Sequence, residues 1–134
     1  MSQASQYWVI IPAAGQGNRF NSELAKQYHE LGGQTVIERT VSVFLEHPSI
    51  HRIVVAIAPN DTQWAKLAIS KHPKLLTTIG GDFRTQTVLN ALFAIKDQAQ
   101  ANDWMLVHDA ARPLLSQNKL NTLIKALEHH SVGG

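Results

Sequence analysis

Three short segments of this 134-residue chain carry residue types that suit phosphate binding. The first is Pro12-Ala13-Ala14-Gly15-Gln16-Gly17-Asn18-Arg19. Its small residues let the backbone approach a ligand closely, and its N–H groups can cradle phosphate oxygens. Arg19 and Lys26 supply two cations near these glycines, which suits a triphosphate better than a dinucleotide. The alternative is an ordinary strand-to-helix turn that needs glycine for positive φ, with its cations on a solvated surface.

The glycine spacing of this first segment differs from two familiar phosphate-binding loops. The dinucleotide fingerprint Gly-x-Gly-x-x-Gly needs a third glycine where this chain has Phe20. The Walker A loop needs Gly-Lys-Ser/Thr, which does not follow. We therefore expect a phosphate site of a different type.

The second segment is Gly80-Gly81-Asp82-Phe83-Arg84. Its glycines permit close approach, and we expect Asp82 to cap a helix that carries Arg84 and Thr87 on its first turns. The N–H groups of a helix N-terminus, with a hydroxyl, can contact a base edge or a phosphate. A capped helix after a Gly-Gly turn is an equally good interpretation of this segment alone.

The third segment is His108-Asp109-Ala110-Ala111-Arg112-Pro113. Asp109 is a candidate Mg²⁺ ligand, because a hard cation takes oxygen donors and can bridge to phosphate. Arg112 can pair with Asp109 or with an anionic ligand. The alternative is an Asp–Arg pair that only closes a turn. We interpret His108 as structural.

Each of these segments follows an apolar run that is typical of a β-strand. Continuous apolar runs, rather than alternating ones, are typical of strands that are covered on both faces. The predicted strands are Tyr7 to Ile11 (ended by Pro12), Arg52 to Ala58, Leu75 to Ile79 and Trp104 to Val107.

Helical patterns separate the predicted strands. Thr35 and Glu38 have the spacing of a capping box, and Asp61 and Ser116 are candidate caps of two further helices. Four strands alternating with four helices predict an α/β fold with a mostly parallel sheet, in which ligands bind beyond the carboxyl ends of the strands. The predicted buried stripes are Ile37, Val41, Phe44 and Leu45; Trp64, Leu67 and Ala68; Val88, Leu89, Leu92 and Ile95; and Leu120, Leu123, Ile124 and Leu127.

Composition excludes several other classes of protein. Zero Cys removes disulfide scaffolds, thiolate metal sites and Cys nucleophiles. The 12 Lys and Arg residues are scattered, so we expect no nucleic-acid partner. The apolar runs are far shorter than the ~20 residues of a membrane span. With no secretory signal in the polar N-terminus, we expect a cytoplasmic protein.

Taken together, the segments resemble the 2-C-methyl-D-erythritol 4-phosphate cytidylyltransferase family. The resemblance is carried by residues 12–19, Lys26-Gln27-Tyr28, residues 80–84 with Thr87, and residues 107–113. It implies a Rossmann-like, mostly parallel sheet with helices on both faces, of the nucleotide-diphospho-sugar transferase type. It also implies that residues 1–134 are the CTP-binding portion of a single nucleotidyltransferase domain. We therefore expect a truncated chain, without the C-terminal part that binds the acceptor and forms the dimer.

The resemblance further implies a reaction and a set of roles. CTP and 2-C-methyl-D-erythritol 4-phosphate would give 4-diphosphocytidyl-2-C-methyl-D-erythritol and pyrophosphate, in the non-mevalonate route to isoprenoid precursors, with Mg²⁺ and a homodimer in the full-length form. Arg19 and Lys26 would be catalytic, Asp109 would hold the metal, and Arg112 would bind substrate. The expected nucleotide-binding residues are Pro12, Ala13, Ala14, Gly15, Gly17, Gly80, Gly81, Asp82, Arg84, Thr87 and Ala110.

Two alternatives stay open at the level of sequence. One is another nucleotidyltransferase of the same architecture, acting on a sugar phosphate or a cofactor precursor; residues 107–113 argue against it. The other is a nucleotide-binding fragment without full activity.

Overall fold

The computed structural model describes residues 6–14, 26–110 and 116–128. The described strands are β1 (Tyr7–Ala13), β2 (Glu30–Leu31), β3 (Gln34–Thr35), β4 (Ile50–Ile57), β5 (Leu75–Ile79) and β6 (Trp104–Val107). The described α-helices are α1 (Val36–Leu45), α2 (Arg84–Ala94) and α3 (Gln117–Glu128).

A parallel sheet in the order β5-β4-β1-β6 forms the centre of the molecule. The four predicted strands are confirmed, except that β1 continues through Pro12 to Ala13 and that β4 begins at Ile50 and ends at Ile57, one residue before the predicted end. The carbonyl of Ile10 accepts a hydrogen bond from the N–H of His108, on the β6 side. Pro12 lies two residues further along, so its backbone is directed to the same side, beyond the end of β6. A residue without an N–H is tolerated there because no ladder bond is lost.

Helices cover both faces of the sheet, as predicted. The face formed by Tyr7, Val9 and Ile11 packs in one core with Val41 of α1 and Leu120 of α3. The opposite face packs against α2: the fully buried side chains of this second core are Trp8, Ile10, Val54, Ala56, Ala91 and Ile95. The strands of β1 and β4 are therefore buried on both sides, which explains their continuous apolar sequences.

Two of the predicted helix starts are confirmed. The hydroxyl of Thr35 accepts the N–H of Glu38, whose carboxylate accepts the N–H of Thr35 in return, so α1 begins with a complete capping box. The hydroxyl of Ser116 accepts the N–H of Lys119 at the start of α3. Three members of the predicted stripes are instead exposed: Leu89 and Leu123, both nearly half exposed, and Ala68 in the segment after β4.

The predicted helix between β4 and β5 is wrong. Asp61 does cap a turn, accepting the N–H groups of Gln63 and Trp64, but only two short 3₁₀ turns follow, Trp64–Lys66 and Ala68–Lys71. Leu67 between them has an extended backbone, with φ −83° and ψ 133°. His72 is extended as well, as the residue before a proline tends to be. The apolar residues have helical spacing, but the extended backbone at Leu67 and at His72 leaves segments that are too short for an α-helix.

A small hairpin that the sequence interpretation missed precedes α1. Strands β2 and β3 pair in antiparallel fashion around Gly32 and Gly33, which have φ values of 63° and 92°. Two successive residues with positive φ are what the tightest hairpin turns require, and glycine adopts them without steric cost. The pair Gly32-Gly33 was the feature of the sequence that could have predicted this hairpin.

No helix within residues 6–14, 26–110 and 116–128 is long and apolar enough to cross a membrane.

Candidate active site

The topology of the sheet gives one preferred place for a ligand. From β1 the chain adds β4 and then β5 on one side, and β6 is then placed on the other side of β1. The direction in which strands are added therefore reverses between β1 and β6. Open α/β sheets bind their ligands beyond the carboxyl ends of the strands at such a reversal. The first and third predicted segments follow these two strands.

The first and second segments meet across the end of β4. The N–H of Gly80 donates to the carbonyl of Ile57 at 2.8 Å, which fixes Gly80 at the sheet edge. A Cβ at Gly80 would lie 2.6 Å from the Cβ of Ala14 and 2.7 Å from Cγ2 of Thr87. Thr87 accepts the N–H of Gly81 through its hydroxyl at 3.0 Å. Small residues at these positions thus allow two loops and the start of α2 to pack at van der Waals distance.

The prediction that Asp82 caps α2 is wrong. The N-cap position is occupied by Phe83, with φ −123° and ψ 158°, and its side chain makes no capping hydrogen bond. The helix starts one residue later than a cap at Asp82 would require, because Thr87 bonds to the segment before the helix and its N–H reaches the carbonyl of Phe83. Asp82 itself is exposed, and Arg84 and Thr87 lie in the first turns of α2 as predicted.

An ion pair joins the second and third segments. Nη2 of Arg84 lies 2.9 Å from Oδ1 of Asp109, and both side chains are well exposed, at 56% and 40%. The sequence offered Arg112, which lies outside the described residues, as a partner of Asp109 or of an anionic ligand; the structure brings Arg84 to Asp109 from the start of α2. The cation and the carboxylate therefore lie together at the carboxyl edge of the sheet.

The described part of the third segment, residues 108–110, packs against the core. The carbonyl of Ala110 accepts the hydroxyl of Thr40 at 3.3 Å, and Ala110 is buried. The ring of His108 meets Phe44 edge-on, with centroids 5.5 Å apart. This packing supports the structural interpretation of His108.

The turn that contains Lys26 is tied to the end of β1. Lys26–Tyr28 form a single 3₁₀ turn. Nε2 of the buried Gln27 donates to the carbonyl of Ala13 at 3.0 Å. The hydroxyl of Tyr28 donates to Oδ2 of Asp61 at 2.6 Å. Burial raises the pKa of Tyr28 well above its ordinary value, and the hydrogen bond and charge of Asp61 raise it further.

Several of the predicted site residues lie outside the described part of the chain. These are Gly15, Gly17, Arg19, Arg112 and the side chain of Lys26. The other predicted residues all lie in segments at the carboxyl edge: Pro12, Ala13, Ala14, Gly80, Gly81, Asp82, Arg84, Thr87, Asp109 and Ala110.

The described residues hold no ready-made metal cage, since no cluster of three or more His, Asp or Glu side chains among them could enclose an ion. Mg²⁺ does not need such a cage when a substrate supplies phosphate oxygens, because one or two carboxylates then suffice. The accessible carboxylate of Asp109 fits that mode of binding.

Sequence reasoning missed two features of the site. Gln27 and Asp61 were not among the predicted site residues, although both fix the turn of Lys26. The Arg84–Asp109 pair was missed because it joins residues far apart in sequence. The prediction of a parallel sheet could have indicated this pair, because parallel strands have their carboxyl ends at the same edge.

Both the sequence and the fold of this chain resemble those of known proteins. The sequence model of the family described as "IspD: 2-C-methyl-D-erythritol 4-phosphate cytidylyltransferase" matches residues 7–134. A 2-C-methyl-D-erythritol 4-phosphate cytidylyltransferase of Pseudomonas fluorescens (strain Pf0-1) is 44% identical over 129 residues, covering 96% of this chain and 55% of that protein.

Two solved structures have the same fold. A 4-diphosphocytidyl-2C-methyl-D-erythritol synthase superposes with a TM-score of 0.80 and 30% identity, over 96% of this chain and 56% of its own. The 2-C-methyl-D-erythritol 4-phosphate cytidylyltransferase (IspD) of Francisella tularensis superposes with a TM-score of 0.75 and 36% identity, over 95% and 54%.

The chain spans about half the length of the curated relatives it matches. Within that length, the family match runs from the first residue of β1 to the end of the chain and includes all three segments at the carboxyl edge. The chain belongs to the 2-C-methyl-D-erythritol 4-phosphate cytidylyltransferase (IspD) family.

Proposed function

We propose that the full-length protein transfers a cytidylyl group from CTP to 2-C-methyl-D-erythritol 4-phosphate. An oxygen of the acceptor phosphate attacks the α-phosphorus of CTP, and the bond from that phosphorus to the bridging oxygen of the β-phosphate breaks. Pyrophosphate leaves with the electron pair of that bond. No side-chain nucleophile is needed, because phosphoryl-type transfer depends mainly on positioning and charge stabilisation.

The observation that carries this proposal is the contact between Ala14, Gly80 and Thr87. It packs the loop after β1 against the loop after β5 so closely that a Cβ at Gly80 would overlap both neighbours. A flat pyrimidine and its ribose can then lie against backbone atoms and small side chains. Backbone N–H and C=O groups at fixed positions can select a base edge, as in other pre-formed ligand sites.

The charged residues of the site have the types that the reaction requires. Negative charge grows on the α-phosphate oxygens and on the departing pyrophosphate, and cations placed there in advance stabilise it more in the transition state than in the ground state. We assign this role to Arg19 and Lys26. Arg84, at the start of α2, is an additional cation beside Asp109.

Asp109 is the residue that would hold Mg²⁺. When bound, the ion would neutralise and orient the triphosphate. The structure pairs Asp109 with Arg84, so the carboxylate is already held at the end of β6. We further propose that Arg112 contacts the acceptor, and that the full-length protein is a cytoplasmic homodimer, as the family resemblance implies.

Nucleotide selectivity tests the proposal most directly. Calorimetric titration of the full-length protein with CTP, UTP, ATP and GTP, each with Mg²⁺, should show CTP binding more tightly than the others by about tenfold or more, or about 1.4 kcal/mol. Equal binding of all four nucleotides would indicate a generic triphosphate site and contradict the proposal. Release of pyrophosphate from CTP only when the acceptor is present would identify the reaction.

A further inference from the structure

We propose that Gln27 is a positioning residue for Lys26, and that the Tyr28–Asp61 pair assists it. These groups fix the 3₁₀ turn Lys26–Tyr28 against the carboxyl end of β1, so that the backbone of Lys26 has one defined location. This inference rests on the proposed function, because it assumes that Lys26 acts on the triphosphate.

The first tether is the amide of Gln27. Its side chain is buried at 6% exposure, and Nε2 donates to the carbonyl of Ala13 at 3.0 Å. Ala13 is the last residue of β1 and leads directly into the glycine segment. The bond therefore joins Gln27, the residue after Lys26, to the end of β1, two residues before the first glycine of the proposed nucleotide-binding segment. An amide can donate this bond, whereas the isosteric carboxylate of glutamate cannot.

The second tether is the pair of Tyr28 and Asp61. The ring of Tyr28 lies in the core, and its hydroxyl donates to Oδ2 of Asp61 at 2.6 Å. Oδ1 of Asp61 accepts the N–H groups of Gln63 and Trp64, so the carboxylate is itself held by the backbone. The raised pKa of Tyr28 keeps the hydroxyl protonated, and therefore donating, across the neutral range.

The position of both tethers suggests why they matter for catalysis. Lysine is a long side chain with many rotamers, and the location of its backbone limits where its ammonium can reach. A displacement of about 1 Å at a reacting centre can cost about a hundredfold in rate. Gln27 and Tyr28, directly after Lys26, fix that backbone from two directions, towards β1 and towards the segment after β4.

A double-mutant cycle separates positioning from a merely structural role. Gln27→Ala and Lys26→Ala are made singly and together in the full-length protein, and turnover is measured by pyrophosphate release. We expect Gln27→Ala to lower kcat by about tenfold or more when Lys26 is present, and by less than about twofold in the Lys26→Ala background. The KM for CTP should change far less than kcat, because the interaction that is lost acts in the transition state.

Two further variants control for folding. Tyr28→Phe keeps the buried ring and removes only the hydroxyl, so it reports on the second tether even if Gln27→Ala folds poorly. Gln34→Ala, at an exposed position of the nearby hairpin, should leave kcat unchanged. Hydrogen exchange should become faster at residues 26–28 in Gln27→Ala and Tyr28→Phe, and stay unchanged in Gln34→Ala.

The outcomes distinguish the two proposals. If Gln27→Ala lowers kcat equally with and without Lys26, the positioning inference is overturned, while a catalytic role for Lys26 stands. If Lys26→Ala alone keeps near-normal turnover, the assigned role of Lys26 is overturned, and the positioning inference with it.

Discussion

Because glycine has no Cβ, Gly80 allows the loops after β1 and β5 to come into contact. Its backbone is held by the hydrogen bond to Ile57, and Ala14 and Thr87 fill the space that a Cβ would need. Because Ala14 is buried and Thr87 is bonded to Gly81, neither can move aside freely. A larger residue at position 80 must therefore separate the loops.

We expect Gly80→Ala to lower the free energy of unfolding by about 1–3 kcal/mol, as overpacking of a tight site does. CTP binding should weaken at the same time, because the proposed base site is displaced. Denaturant titration and calorimetry measure the two effects.

Gly33→Ala is the matched control. Its φ of 92° makes alanine strained, but no atom lies within 4 Å of the added Cβ. It should lose stability while CTP binding stays unchanged. Unchanged CTP binding in Gly80→Ala would contradict the proposed base site.

Asp109 is proposed to bind Mg²⁺, and it is expected to contribute little to the stability of the fold. Its pair with Arg84 is largely exposed, so the ion pair is expected to contribute less than about 1 kcal/mol. Asp109→Asn should therefore unfold at nearly the same denaturant concentration as the wild type. The Mg²⁺ concentration for half-maximal activity should rise by about tenfold or more, since a neutral amide is a poorer ligand.

A metal titration of activity checks this effect, with Asp97→Asn as the control on an exposed carboxylate beyond the other end of α2. An identical Mg²⁺ dependence in Asp109→Asn and the wild type would remove the metal role of Asp109.

At the scale of elements, short-range capping signals decide where α1 and α3 begin. The capping box of Thr35 and Glu38 and the cap at Ser116 form as the sequence predicts, because each bond joins residues three apart. The helix expected at Trp64 does not form, because extended backbone at Leu67 and before Pro73 divides the segment into turns. Apolar spacing alone did not distinguish these cases.

The cap of α3 allows a clean test at this scale. Ser116→Ala should lower the free energy of unfolding by about 1 kcal/mol, because the N–H of Lys119 loses its partner. Ser116→Asp supplies another cap and should stay within about 0.5 kcal/mol of the wild type. Denaturant titration of the three proteins measures this, and an unchanged free energy of unfolding in Ser116→Ala would show that the hydroxyl does not act as a cap.

At the scale of the whole molecule, the two edges of the sheet differ in the residues that they carry. The carboxyl edge carries the candidate site, while Asp103 connects strands at the amino edge. Its carboxylate accepts the N–H groups of Gln6 and Gln100 and the ring N–H of Trp8, at 2.8–3.0 Å. Burial acts to raise the pKa of Asp103, but these three bonds and the charge of His51 lower it below its ordinary value.

This lowered pKa predicts the direction of a pH effect. The folded state prefers ionised Asp103, so the stabilisation is present above the ordinary pKa of 3.8 and is lost as the pH falls through the lower, folded pKa. Asp103→Asn should therefore be less stable than the wild type near pH 7, and the difference should shrink as the pH falls to about 3 and below. Denaturant titrations across this range measure it. A constant difference at every pH would contradict the role of the charge.

The sequence by itself determined the features that depend on neighbours along the chain. Apolar runs gave the four parallel strands, a capping pattern gave the start of α1, and three motifs gave the family, as the match over residues 7–134 confirms. Each of these signals lies within a few residues, where backbone geometry and burial act locally.

Only the tertiary structure decided which residues meet. The approach of Ala14 to Gly80, the pairing of Arg84 with Asp109 and the bond from Gln27 to Ala13 all join separate segments. Their distances depend on strand order, register and the helix packed on each face, which no single stretch of sequence encodes. The same order places β6 beside β1 and β5 beyond β4, and so sets the carboxyl edge at which we propose that the nucleotide binds.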